Sequence, residues 1–230
     1  MVHYIYMQFL REDQQAATQA IATRLCDELF EGKRVLWLVS GGSNVQSEVT
    51  IMDMVRTHVA EKLHGLAIMP MDERYGEPGH KDSNTEQLRA AGFDSGSATW
   101  IDVLMHDLPF DQTLSFYNGV ATTAISNAQA IIGQFGLGSD GHTAGLLPDS
   151  PATEIDEATV IGYEWRDYIR LSLSAFALKQ VTNAYVLAYG DGKKQTLERL
   201  RKNDESFADL PSSLLYQIAE VHIYTDQLIS

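Results

Sequence analysis

The stretch Ala128-Gln129-Ala130-Ile131-Ile132-Gly133-Gln134-Phe135 runs directly into Gly136-Leu137-Gly138-Ser139-Asp140-Gly141-His142-Thr143-Ala144. The first part has the length and apolar content of a buried strand. The second part places three glycines at that strand's end, where they permit a tight turn. Inside the turn an acid and an imidazole stand two residues apart, which suits proton transfer. The glycine spacing also satisfies G-x-G-x-x-G. That fingerprint belongs most often to a first βαβ unit, whereas this one lies past the middle of the chain, and Asp140 would bring negative charge towards a pyrophosphate. A dinucleotide is therefore not expected. Asp140 and His142 could also ligate a metal, but no H-x-x-x-H or C-x-x-C pair supports them, and no metal is expected. On the residues alone, His142 as a purely structural turn histidine stays open.

Outward from this stretch, Ala17, Ile21, Leu25 and Leu29 recur every fourth residue over 11–30, an amphipathic helix that Glu31-Gly32-Lys33 ends. Val35-Leu36-Trp37-Leu38-Val39 is continuously apolar, as a strand buried on both faces is. Further helices are expected over 45–63, 111–127, 193–202 and 212–218, and further strands over 66–70, 97–104, 170–174, 183–189 and 221–224. Residues 148–164 read as an acidic connecting loop. Strand and helix alternate without a linker, repeat or low-complexity tract. The expected fold is a single α/β domain over 1–230, doubly wound, with a mainly parallel sheet and helices on both faces.

With 230 residues, 44% of them hydrophobic, the chain can bury a sizeable core. Its formal net charge of -14 argues against nucleic acid and anionic membrane surfaces as partners. An anionic ligand would need a local cluster of Arg, Lys and backbone N–H groups to overcome that field. The one cysteine, Cys26, cannot form an internal disulfide, which fits a reducing cytoplasm, and its helical context reads as core. No basic start with a long apolar stretch opens the chain, and no apolar run approaches about 18 residues, so neither a signal peptide nor a membrane span is expected.

In such folds ligands bind beyond the carboxyl ends of the strands. After Val35–Val39 comes Ser40-Gly41-Gly42-Ser43, then a helix. Ser43 is placed to cap that helix, with Gln46 completing a capping box. Backbone N–H groups behind a Gly pair at a helix start also make a phosphate cradle, with a plain capped turn as the alternative. After Leu66–Pro70 comes Met71-Asp72-Glu73-Arg74-Tyr75-Gly76, followed by Asp82-Ser83-Asn84, either a solvated charged loop or part of a site. After the strand over 183–189 comes Gly190-Asp191-Gly192-Lys193-Lys194 at a helix start. Cations there oppose the helix dipole unless an anion is bound. Arg170 opens the preceding strand and could serve the same anion; solvated lysines and a surface arginine are the alternative. His80, His106 and His222 have no such context and read as surface or packing residues.

These segments together resemble the 6-phosphogluconolactonases, within the wider glucosamine-6-phosphate isomerase/deaminase superfamily. The resemblance spans about residues 35–213. It rests on the strand-end segments just quoted, with Leu147-Pro148, Arg170-Leu171-Ser172-Leu173-Ser174 and Leu210-Pro211-Ser212-Ser213. Lactonases follow Asp-Gly-His with Thr-Ala and a Leu-Phe-Pro-like stretch, and this chain has Thr143-Ala144-Gly145-Leu146-Leu147-Pro148. Deaminases continue with Ile-Ala-Phe-Asn-Glu-Pro, whose glutamate has no counterpart here. The chain departs from the lactonases at Asn44-Val45, where Thr-Pro is usual, at Gly76, where an aliphatic residue is usual, and at Gly145, where Ser is common. The departures at Asn44 and Gly76 bear on which sugar phosphate is accepted.

The resemblance implies a Rossmann-like fold of the sugar-phosphate isomerase type. It implies a cytoplasmic monomer or homodimer, without cofactor or metal, that hydrolyses 6-phospho-D-glucono-1,5-lactone to 6-phosphogluconate in the pentose phosphate pathway. In that reading His142 takes the proton of the attacking water and Asp140 orients His142 or balances its charge. Arg74 or N–H groups of the turn meet the oxyanion, and Ser40, Gly41, Gly42, Ser43, Arg170 and Lys193 hold the phosphate. No Gly-x-Ser-x-Gly elbow supports a serine hydrolase. Two alternatives remain: a deaminase or isomerase using Asp72 as its proton-transfer base, and a non-catalytic sugar-phosphate sensor.

Overall fold

The apolar run Val35–Val39 forms a strand in which all five residues are buried. It lies near the middle of the sheet of a computed structural model that describes residues 6–155 and 157–228. In chain order the elements begin β1 (Tyr6–Arg11), α1 (Gln14–Phe30), β2 (Val35–Val39), α2 (Val45–Val59), β3 (Leu66–Pro70), β4 (Asp72–Arg74), α3 (Asn84–Ala90) and β5 (Thr99–Trp100). They continue α4 (Phe110–Asn127), β6 (Ala130–Gly136), β7 (Val160–Trp165), β8 (Tyr168–Leu173), α5 (Ala175–Leu178), β9 (Asn183–Leu187), α6 (Lys194–Lys202) and β10 (Glu220–Thr225).

Seven strands make one sheet in the order β1-β10-β9-β6-β2-β3-β5, with every neighbouring pair parallel. The pleat sorts the residues of β2 to the two faces. Val35, Trp37 and Val39 pack with α1 and α2, while Leu36 and Leu38 pack with α4 and α6. Helix α1 starts where Asp13 accepts the Ala16 N–H at 2.8 Å, and it buries Ala17, Ile21, Leu25 and Cys26. The fold is thus α/β, with a mostly parallel sheet covered on both faces. No helix among the described residues is long and apolar enough to cross a membrane.

Several expectations need correction. Residues 170–174 do not join the parallel sheet. Strand β8 lies in a second, antiparallel sheet of order β4-β8-β7, with Arg170 in mid-strand rather than at its start. The acidic segment 148–164 contains most of β7. It turns into β8 through Arg166, a non-glycine residue at φ 56°, so the usual Asn-Gly or Asp-Gly hairpin signal is absent. Strand β4 reads as a charged loop because its two buried residues, Asp72 and Glu73 on opposite faces, are carboxylates instead of apolar side chains. Residues 97–104 yield only the two-residue β5, and 212–218 is a 3₁₀ turn, Pro211–Gln217. The edge strand β1 was not anticipated; it pairs in parallel with β10.

From β2 the sheet grows through β3 to β5, and from β6 it grows the other way through β9 to β10. The winding therefore reverses between adjacent strands β2 and β6, whose carboxyl ends open the crevice where ligands bind in open α/β sheets. The small sheet hangs beside it. Met71 N–H donates to Val39 O and Leu173 N–H donates to Met71 O, each at 2.7 Å.

Candidate active site

A cavity of about 240 Å³ occupies that crevice. The loop after β2 contributes Ser40, Gly41, Gly42 and Ser43. Strand β4 contributes Asp72 and Arg74, and β8 contributes Arg170. The turn after β6 contributes Leu137, Gly138, Ser139 and His142, and the start of α6 contributes Lys193. Of the residues given catalytic or phosphate-binding roles from the sequence, Asp140 alone does not line the cavity. A larger apolar groove of about 710 Å³ lies between α4 and the amino ends of β2 and β3, remote from all of these groups.

His142 and Asp140 are in contact. The imidazole Nδ1 lies 2.6 Å from Asp140 Oδ1, which also accepts the His142 N–H at 3.2 Å. This bonding to His142 holds the Asp140 carboxyl well below the usual carboxylate range, so it stays ionised. An ionised carboxylate only accepts, so Nδ1 carries the imidazole proton and Nε2 is left as an acceptor. The turn is shaped for this pair. Gly138 lies directly beneath it, and a Cβ there would run into the imidazole and into Asp140 Oδ1. Gly141 sits at φ 100°, open to glycine, where a Cβ would also lie 2.6 Å from Leu210 Cδ1. Arg199 donates to Asp140 O at 3.2 Å and Thr196 Oγ1 to Ser139 O at 2.7 Å, tying the turn to α6.

The cations form a second constellation. Arg74 and Arg170 stand directly opposite each other in the β4–β8 register. Both guanidinium groups lie against one Tyr168 ring, 5.8 and 5.4 Å from its centre. Like charges directly opposite across a strand pair are destabilising. Among the described residues, neither arginine nor Lys193 makes a salt bridge, and both arginine Nε atoms are buried without a partner. Lys193 Nζ donates to Leu137 O at 2.5 Å, which brings the ammonium over the turn of His142. Such an arrangement is complementary to an anion. The N–H groups of Gly138, Gly141 and His142 are already taken, by His142 O, Gly138 O and Asp140 Oδ1. The Ser139 N–H of the same turn has no acceptor among the described residues, and Arg74 already donates through Nη1 to Asp82 O and Asn84 Oδ1 at 3.1 and 2.7 Å, so a turn amide and the arginine both stay candidate donors to an oxyanion.

Asp72 is buried, and burial pushes its carboxyl up to about 6, against the pull of Arg74, His142 and Arg170. It lies within electrostatic reach of the imidazole. Glu73 points the other way and fixes the frame. It accepts from Arg74 N, Ser83 Oγ, Asn84 N and Thr85 N at 2.7 to 3.0 Å, which pins the start of α3. Asn84 donates to Asp72 O at 2.9 Å and accepts from Arg74 at 2.7 Å, so it aims the arginine at the cavity.

The loop after β2 differs from its expected form. A 3₁₀ turn, Gly42–Asn44, precedes α2, and no side chain caps that helix, so the Ser43–Gln46 capping box is not made. Glu48, in the first turn of α2, reaches back instead and accepts the Ser40 and Gly41 N–H groups at 2.8 and 3.1 Å. Burial pushes this carboxyl up to about 7. Sequence reading missed Glu48; the available signal was an acid in the helix's first turn, placed to bond backward as a capping-box glutamate does. The departures from the lactonase pattern also have local reasons. A Cβ on Gly145 would lie 2.7 Å from Ser172 Cβ and 3.2 Å from Asp72 Cβ, and one on Gly76 would lie 2.8 Å from the His80 ring. His80 itself bonds Arg74 O at 2.9 Å, and His222 stacks on Tyr185 with ring centres 5.2 Å apart.

Fold and site together define a doubly wound α/β protein that presents a carboxylate–imidazole pair and a cavity lined by two arginines and a lysine at its switch point. Residues 11–224 match the family model of glucosamine-6-phosphate isomerases/6-phosphogluconolactonase, and the chain belongs to that family. It is 30% identical to a 6-phosphogluconolactonase of Helicobacter pylori over 152 residues, which are 64% of this chain and 65% of that one. It is 25% identical to the 6-phosphogluconolactonase of Xylella fastidiosa over 195 residues, 80% of this chain and 79% of that one. The match thus spans about two thirds of the Helicobacter protein's length. The solved 6-phosphogluconolactonase of Trypanosoma brucei shares the fold with a TM-score of 0.75 at 17% identity over 97% of each chain. A monomeric glucosamine-6-phosphate deaminase shares it equally, with a TM-score of 0.78 at 13% identity over 97% of this chain and 98% of that one. The fold alone therefore does not separate the two chemistries.

Proposed function

We propose that this chain is a lactonase that hydrolyses 6-phospho-D-glucono-1,5-lactone to 6-phosphogluconate. One observation carries the reading: His142, bonded to Asp140, lines a cavity that also holds three cations without carboxylate partners among the described residues. The names of the curated relatives support the substrate. A lactone is an activated ester, so water needs a base but no protein nucleophile. Water bound at His142 Nε2 loses a proton to the imidazole as its oxygen adds to the carbonyl carbon. Asp140 and Asp72 stabilise the imidazolium that forms, and Arg74 stabilises the oxyanion. As the bond from the carbonyl carbon to the ring oxygen breaks, His142 returns its proton to that oxygen. Arg170, Lys193 and the N–H groups of Gly42 and Ser43 hold the remote phosphate and so position the carbonyl.

Deamination is disfavoured locally, because the segment after His142, Thr143-Ala144-Gly145-Leu146-Leu147-Pro148, supplies no glutamate. The test is to incubate purified protein with fresh phosphogluconolactone and with glucosamine-6-phosphate, following acid and ammonia release. Acid release from the lactone is expected, falling by about 100-fold to 10,000-fold in His142→Ala. Ammonia release would instead identify a deaminase. Ligand binding with silence in both assays would identify a sensor.

A further inference from the structure

We propose that Glu48 is a positioning residue that sets the phosphate-binding shape of the loop 40–43, and thereby the preference for a phosphorylated over an unphosphorylated lactone. The inference rests on the lactonase reading. Glu48 is fully buried, yet no cation pairs with it among the described residues. Its partners belong to the loop: Ser40 N at 2.8 Å, Gly41 N at 3.1 and 3.2 Å, and Ser40 Oγ at 3.4 Å. A buried carboxylate is costly to keep without such bonds, and a carboxylate beneath an anion site also repels the ligand. The arrangement gains something only if the loop's shape is worth that cost.

The geometry shows what is gained. Gly41 and Gly42 have φ of 66° and 56°, a sharply turned backbone. Glu48 draws the first two N–H groups of this turn inward, away from the cavity. The next two, on Gly42 and Ser43, have no acceptor among the described residues, and both residues line the cavity. Asn44 Nδ2 donates to Ser40 Oγ at 2.9 Å, and Gly41 backs onto Asn84, where a Cβ would lie 2.9 Å from Asn84 Cγ. The carboxylate thus decides which amides of the loop remain for a ligand. Its hydrogen bonds go to the loop 40–43, and none links it to His142 among the described residues, so its effect should reach binding rather than proton transfer.

Glu48→Ala leaves the Ser40 and Gly41 N–H groups buried without an acceptor, so the loop should turn them elsewhere. The expected result is at least a tenfold rise in KM for phosphogluconolactone and in Kd for inorganic phosphate, measured by calorimetry. The kcat should stay within about threefold, and kcat/KM on unphosphorylated gluconolactone should be unchanged. Glu48→Gln keeps an oxygen that can accept both N–H groups and should recover most of the loss. Equal losses on the two lactones, or phosphate affinity retained in Glu48→Ala, would overturn the proposal. If Glu48→Ala does not melt cooperatively, Glu48→Asp, with the carboxylate withdrawn by one methylene, carries the same comparison. A wild type inactive on the lactone defeats the lactonase reading, and the phosphate titration then still decides for or against Glu48 as the loop's anchor.

Discussion

Replacing Gly138 by alanine adds one methyl group where the His142–Asp140 pair folds back over its own turn. Gly138 is not among the residues of positive φ, so alanine can adopt its backbone conformation and the methyl acts by contact. A Cβ there lies 2.5 Å from Asp140 Oδ1 and nearer still to the imidazole, whereas real Cβ atoms essentially never approach closer than 3.0 Å. The pair must withdraw by about 0.5 to 1 Å. A misplacement of about 1 Å costs on the order of 100-fold in rate, or about 3 kcal/mol of barrier. The loss should fall on kcat, because the phosphate anchors at Arg170 and in the loop 40–43 lie on other elements. The assay is acid release from fresh phosphogluconolactone in weak buffer, corrected for spontaneous hydrolysis, beside a thermal melt. Gly119→Ala in α4 is the control, since a Cβ there meets nothing within 4 Å. It should leave the rate unchanged and stabilise the helix by roughly 0.5 to 1 kcal/mol. A Gly138→Ala enzyme within threefold of wild-type kcat would refute the assignment of the pair as the proton-transfer unit.

Other outcomes follow from the same geometry. Arg170→Ala removes a guanidinium that makes no salt bridge among the described residues, and should raise KM by about tenfold to 100-fold with little change in kcat; unchanged affinity for the phosphorylated product would place the phosphate elsewhere. Asp140→Asn can donate to Nδ1 and so favours the tautomer with the proton on Nε2; kcat should fall by at least about 100-fold, and a nearly normal rate would remove Asp140 from the mechanism. Asp72 shapes stability. Burial raises its carboxyl in the folded state from 3.8 to about 6, so the folded state binds more protons than the unfolded state between those values. The stability this contributes is fully present below about pH 4 and is lost as pH rises through 6, about 3 kcal/mol in all. Urea unfolding of Asp72→Asn should show a flatter dependence over pH 4 to 7 than wild type; parallel curves would contradict the burial of an ionisable Asp72.

The large parallel sheet was legible because its strands are apolar runs buried on both faces. Five residues in a row such as Val35–Val39 leave little choice of structure. The small sheet was not legible. Strand β4 carries Asp72-Glu73-Arg74, whose burial is offset by Asn84, Ser83 and the α3 amides, all distant in sequence. Strand β7 follows an acidic stretch and turns at Arg166 without a turn signature. Glu48 shows the same limit from the other side: a lone acid in a helix's first turn looks solvated until the loop it supports is folded over it.

By itself the sequence determined the α/β alternation, the Gly-rich turns at the strand ends, and the nearness of Asp140 to His142, because each depends on residues close along the chain. Tertiary structure alone decided that the ends of β2, β3, β6 and β9 meet at one cavity, and that Arg74 faces Arg170 with no carboxylate paired to either among the described residues. It also decided which loop amides are free. The physical reason is that parallel strands joined by crossovers place distant segments side by side, so the electrostatics of the site belong to the sheet order and not to any single stretch of chain.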